Sequence, residues 1–315
     1  MSEVPLPPAP PASIPPGLYA PKWWPAWLGL GLLWLLALLP VPVLRLIGAG
    51  LGELFHAVVP SRRRIVRINL RLSFPDLDEK SRRRLARQHF RALGAGMLEV
   101  PLAWFASDQR LRRMVDIEGA EHLRQAQADG SGVLLLTGHF TTMELGCRLV
   151  HLAGFPFHGM YRRADNVFVD YWMCRLREAR LGLPMVPKED LKRIVRLLRG
   201  GGRVWYGPDQ TIEAANAAFV DFFGVPTLTL TATSRLAQMG RAKVVPYFPQ
   251  RRGGRYRLVF LPALEQFPSG GDSADAARIN QLLEDAIREV PEQYFWVHRR
   301  FKDGPPGRRD PYRRD

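Results

Sequence analysis

Cysteine is scarce: Cys147 and Cys174 are the only two in 315 residues. That excludes a disulfide framework and any Cys-rich zinc or iron–sulfur site, and it points to a reducing compartment. Acidic residues are also in short supply. Thirty Asp and Glu face 45 Lys and Arg, and the net charge of +15 calls for a polyanionic partner surface such as nucleic acid, anionic lipid or an acidic protein. Several catalytic signatures are missing as well: there is no G-x-S-x-G elbow, no Walker loop and no dinucleotide fingerprint after a strand. What is present is a chain 46% hydrophobic and 24% charged, which excludes long-range disorder and supplies ample core.

Four regions are expected. Residues 1–20 hold seven prolines and a single charge, Glu3, and read as a Pro-rich disordered arm. Residues 21–44 read as a membrane anchor, because positions 23–44 carry no charge and a helix of that length can cross hydrocarbon about 30 Å thick. Trp23, Trp24 and Trp27 suit an interface. Pro40 and Pro42 would break such a helix unless it ends at Leu39, so a shallow insertion in one leaflet stays open. Residues 45–118 form an amphipathic helical region that begins with Arg45, Arg62, Arg63, Arg64, Arg67 and Arg71, and the positive-inside rule then puts everything downstream in the cytoplasm. Ile65, Val66, Ile68 and Leu70 interleave with these arginines, as in a basic helix lying on anionic lipid.

Residues 119–315 read as an α/β core with a basic C-terminal segment. Residues 132–137 form a short apolar run of the kind buried on both faces of a sheet. Strand candidates at 157–161, 203–206, 219–222, 244–248 and 256–261 alternate with helical stretches at 143–152, 167–180, 191–198 and 229–239. The fold class is therefore α/β, a layered domain of strands and helices with a helical N-terminal part and anchor attached.

The chemically informative stretch is Thr137-Gly138-His139-Phe140-Thr141-Thr142-Met143-Glu144. A histidine just past a buried strand stands where open α/β sheets place reactive groups. Glu144 could reach back to one imidazole nitrogen, leaving the other to take a proton. The same spacing, Thr141-x-x-Glu144, also describes a capping box in which Glu144 bonds backbone N–H groups and never meets the histidine.

His139, four residues, then Glu144 resembles the H-x4-D/E motif of the glycerolipid acyltransferase superfamily. The surrounding string is similar to its branch of late lipid A biosynthesis acyltransferases, which includes lauroyl and myristoyl transferases. Further blocks agree in order: Tyr161-Arg162, then 205–209, then 219–224 with the Thr-rich 227–233, and 291–302. The resemblance implies a glycerolipid-acyltransferase-like fold, a layered mixed sheet flanked by helices, and transfer of a fatty acyl chain from the thioester of acyl carrier protein to a hydroxyl of a lipid A precursor. It implies His139 as general base with Glu144 as its partner, no cofactor, no metal and no acyl-enzyme. The implied location is the bacterial inner membrane, with the catalytic domain facing the cytoplasm.

Tyr161 and Arg162 then become substrate-binding candidates, Arg162 for phosphate. Asp209 would orient Arg162 or a substrate hydroxyl, or simply form a turn. Arg299 and Arg300 are candidate head-group contacts. Basic runs at 62–71, 188–199 and 251–257 offer docking sites for the acidic carrier. The alternative is an acyl-CoA-dependent glycerolipid or glycolipid acyltransferase of the same fold, against which the 291–302 block weighs. A nucleic-acid binder is disfavoured, because the arginines do not interleave with strand aromatics.

Overall fold

Proline has no N–H to donate, and the helix over the uncharged N-terminal run stops just ahead of Pro40. In the computed structural model, which describes residues 14–210 and 216–313, α1 (Trp24–Leu38) ends with Leu39 extended at ψ 148°, and α2 (Val41–Val58) starts a new axis. The expected single anchor over 23–44 is thus two helices. At 15 residues α1 is only about 22 Å long. Among the described residues the one helix long and apolar enough to cross a membrane is α2, which carries Arg45 and Glu53. Of the expected disordered arm, residues 1–13 lie outside the described residues. Pro16–Tyr19 forms a 3-10 turn that buries Leu18, and Trp27 Nε1 donates to the Leu18 carbonyl at 2.8 Å.

The remaining helices and strands follow as α3 (Pro60–Ser73), α4 (Glu79–Phe105), α5 (Asp108–Arg112), β1 (Val115–Glu118), α6 (Ala120–Ala126), β2 (Gly132–Leu136) and α7 (Met143–Leu152). After them come β3 (Met160–Tyr161), α8 (Val167–Leu181), β4 (Val186–Pro187), α9 (Leu191–Arg199), β5 (Arg203–Tyr206), β6 (Ala217–Phe222) and β7 (Val225–Leu230). The last four are α10 (Ala232–Gly240), β8 (Ala242–Arg252), β9 (Arg255–Phe260) and α11 (Asp272–Glu289).

The main sheet has the order β1-β9-β8-β2-β5. Every neighbouring pair is parallel except the β8–β9 hairpin, so the sheet is mixed, as the family resemblance implies. All five residues of β2 are buried, and their alternation feeds two core layers. Leu134 and Leu136 join the layer with α3, α9, α10 and α11, while Val133 and Leu135 join the layer with α5, α6 and α7. The sheet begins at Val115, slightly ahead of the expected boundary at 119.

Helices α2 and α4 meet backbone to backbone. A Cβ on Gly52 would sit 2.0 Å from the Phe90 carbonyl oxygen, and one on Gly94 the same distance from that of Gly48. The outer faces of α1 and α2 have no cover among the described residues: Leu28, Leu32, Leu35 and Leu38 on α1 and Leu46, Leu51, Leu54 and Val58 on α2 are all exposed. Further along, Glu99 of α4 is buried and ties that helix to the sheet. It accepts from Arg251 Nε and Nη2 at 2.7 and 2.8 Å and from the Tyr256 hydroxyl at 2.7 Å.

Candidate active site

Parallel strands carry their successors to the same edge of a sheet. The register of β2 against β5 pairs Leu136 with Tyr206, so the residues three places beyond each, His139 and Asp209, arrive together. The Asp209 carboxylate accepts from the His139 backbone N–H at 2.8 Å, and its other oxygen lies 2.6 Å from His139 Nδ1. Because an ionised carboxylate only accepts, Nδ1 must carry a proton, and the neutral ring then presents Nε2 as a free acceptor. The Asp209 side chain is 1% exposed and that of His139 is 22% exposed, so the pair is shielded from below and open above.

Burial alone would push the His139 pKa down, but the Asp209 charge and hydrogen bond outweigh it and the net shift is upward. Burial opposes ionisation of Asp209 too, yet the imidazole and the hydrogen bonds from His139 and the Tyr294 hydroxyl hold its carboxyl below the usual range. Gly207 belongs to this geometry. A Cβ there would meet the Trp205 ring at 2.8 Å and the His139 ring at 3.1 Å.

Glu144 is not the partner of His139. One of its oxygens accepts from Trp104 Nε1 at 2.7 Å and from Arg177 Nε at 2.9 Å, and the other accepts from Arg177 Nη2 at 2.7 Å. Nor does it close a capping box, since no side chain caps α7 and the Thr141 hydroxyl accepts instead from Arg251 Nη2 at 3.5 Å. Burial works against the Glu144 charge, and Arg177 overcomes it and keeps the carboxyl ionised. The two side chains border an apolar pocket formed by Met143, Cys147, Phe157, Met160, Leu181 and Met185. Trp205 joins this pocket to the reactive end, its ring set edge-on to the His139 imidazole with centroids 5.8 Å apart.

The C-terminal block braces the histidine loop from the other side. Phe140 bridges to Tyr294, the Thr141 N–H donates to the Gln293 carbonyl at 2.7 Å, and the Phe295 N–H donates to the His139 carbonyl at 3.0 Å. Sequence reasoning placed residues 291–302 in a family block but assigned Tyr294 nothing. No spacing rule links it to Asp209, which is 85 positions earlier.

Other candidates fare unevenly. Asp209 holds the imidazole rather than Arg162. Arg162 stands exposed at the end of β3. Tyr161 is half-buried beside Cys174 and its hydroxyl pKa is pushed up to about 12, burial being the main cause. Arg300 cannot meet head groups: it is 2% exposed, donates to the Leu228 carbonyl at 2.8 Å and lies over the Phe222 ring. Arg299 is exposed, against Tyr312. The basic run at 251–257 is also consumed internally, Arg251 by Glu99, Arg252 by Glu289, Arg255 by Asp116 and Arg257 by Glu118. Burial pushes the Cys147 thiol up to about 12, which argues against a thiolate nucleophile.

An imidazole with one nitrogen held by a buried carboxylate and the other without a partner among the described residues, beside an apolar pocket at a sheet edge, has the makings of a general base for a substrate with a hydrocarbon tail. The profile of the bacterial lipid A biosynthesis acyltransferase family matches residues 15–303, and the chain belongs to that family. It is 39% identical to the lipid A biosynthesis lauroyltransferase of Escherichia coli (strain K12), over 92% of this chain and 95% of that one. It is 35% identical to the palmitoleoyltransferase of the same organism, over 91% and 94%. A solved 1-acyl-sn-glycerophosphate acyltransferase from Thermotoga maritima superposes at a TM-score of 0.35 and 15% identity, over 78% of this chain and 97% of that one.

Proposed function

We propose that this acyltransferase of lipid A biosynthesis moves a fatty acyl chain from the thioester of acyl carrier protein to a hydroxyl of a lipid A precursor. The observation that carries the reading is the His139–Asp209 pair opening beside an apolar pocket. The acceptor hydroxyl gives its proton to His139 Nε2 as its oxygen bonds to the thioester carbon. Asp209 holds the ring and stabilises the imidazolium. The oxyanion is met by backbone N–H groups of the first turn of α7, which no side chain caps. Collapse of the tetrahedral intermediate breaks the carbon–sulfur bond, and the proton on His139 returns to the departing thiolate. The pocket walled by Met143, Phe157 and Met185, about 50 Å³ as it stands, receives the first methylenes of the acyl tail. Glu144 and Arg177, locked to each other, fix α7 against α8 and shape the pocket wall.

The exposed apolar residues of α1 and α2 support attachment to a bilayer, and the break at Leu39 and Pro40 favours helices lying in one leaflet. The decisive experiment incubates the purified protein with acyl carrier protein thioester and a lipid A precursor in detergent, and follows the acceptor by mass spectrometry. One added acyl chain, lost in His139→Ala, supports the reading. Acylation that persists in a folded His139→Ala would falsify the general-base role.

A further inference from the structure

Residues 60–91 hold eleven basic and three acidic side chains, accounting for eight of the chain's fifteen net positive charges. Helix α3 and the start of α4 enclose a cavity of about 390 Å³ whose walls include Arg63, Arg64, Arg67, Arg71, Arg82 and Arg83. Glu79 is the one carboxylate among the lining residues. It is already bonded to Arg83 at 2.8 Å and paired with Arg82 at 3.5 Å.

Several of these guanidinium groups are fixed by backbone carbonyls, which orient a charge without neutralising it. Arg63 donates to the His56 carbonyl at 2.9 Å, and Arg64 to those of Tyr312 and Arg313 at 2.6 and 2.9 Å. Arg67 and Arg71 are exposed, and neither makes a hydrogen bond or ion pair with another described residue. Like charges facing one concavity repel one another, and an anion seated among them removes that cost.

We propose that this groove binds the phosphate of an anionic membrane lipid, a site separate from the one that transfers the acyl chain. What decides between a lipid and an acidic protein is what adjoins the groove. The uncovered apolar face of α2 runs to Val58, and Pro60, which opens α3, is itself part of the groove wall. A surface suited to hydrocarbon therefore gives way within two residues to one suited to phosphate, the order in which a leaflet presents these layers. The surface of an acidic protein has no hydrocarbon layer beside its charges.

The inference rests on the membrane attachment proposed above, and the test separates the two. Full-length protein is floated with vesicles of phosphatidylcholine alone and of phosphatidylcholine with phosphatidylglycerol, alongside the double variant Arg67→Glu, Arg71→Glu. Wild type should prefer the anionic vesicles. The variant should lose that preference by at least about tenfold, while its binding to neutral vesicles and its melting temperature stay unchanged. Arg67→Lys with Arg71→Lys should keep most of the preference. Two outcomes overturn the groove and leave the membrane reading standing: an undiminished anionic preference in the Glu variant, or a variant whose only defect is weaker affinity for acyl carrier protein. Failure of the wild type to float with either vesicle overturns both.

Discussion

Asp209 and Glu144 are both shielded carboxylates at the same sheet edge, each bonded to one basic side chain. The difference lies in the partner. An imidazole releases and takes up a proton near neutrality, so the carboxylate beside it tunes a reactive group. A guanidinium stays charged at any ordinary pH, so the carboxylate beside it makes a fixed strut. The residue that fits the motif spacing holds the scaffold, and the residue without a motif spacing to His139 holds the imidazole.

The sharpest way to break this contrast is to remove each side chain in turn. His139→Ala should abolish transfer with the fold intact, as judged by turnover and thermal melting. Asp209→Asn should lower kcat by about 10²-fold or more. The sign of its pH effect follows from the electrostatics: Asp209 raises the His139 pKa against burial, so without its charge the pKa falls and the acidic limb of kcat/KM moves to lower pH. Glu144→Gln should leave that limb where it is. Its loss should appear as a lower melting temperature, because Arg177 keeps its burial but loses its countercharge. A shifted acidic limb in Glu144→Gln and an unmoved one in Asp209→Asn would reverse the two assignments.

A smaller effect is expected from crowding the base while sparing both carboxylates. Gly207→Ala should push the imidazole or the Trp205 ring aside and cost about tenfold in kcat, short of the loss that a full 1 Å misplacement can bring. The mildest test concerns the donor. Rates with acyl carrier protein should fall as salt rises, chiefly through apparent affinity, and acyl-CoA should substitute poorly. Equal efficiency of the two donors, with no salt dependence particular to the carrier, would favour the acyl-CoA alternative.

Much of this architecture is legible in the chain, for reasons that differ by element. The helices over 143–152 and 191–198 come through because their apolar periodicity is local, and β2 because a short unbroken apolar run between glycines suits a strand covered on both faces. The triglycine at 200–202 ends α9 as helix-stopping glycines do. Strands β1 and β4 escape because they have four and two residues and are defined by their pairing partners. The site was half visible for the same reason. His139 is marked by the strand before it, but its carboxylate arrives through the parallel pairing of β2 with β5, a contact across 70 positions. Pairing 133–136 with 203–206 and counting onward leads to Asp209, but nothing local dictates that pairing. Arg300 was misread because charge suggested exposure, whereas the carbonyl of Leu228 and the face of Phe222 make a buried seat for it.

The brace laid across the histidine loop by residues 293–295 also orders events in time. During synthesis His139, Asp209 and the strands that join them emerge well before Gln293, Tyr294 and Phe295. A ribosome-bound chain can thus hold the base and its carboxylate and still lack the three contacts that fix their loop. The loop that carries His139 is then fixed only after residues 293–295 have been made. By that stage the exposed leucines of α1 and α2 have already been made.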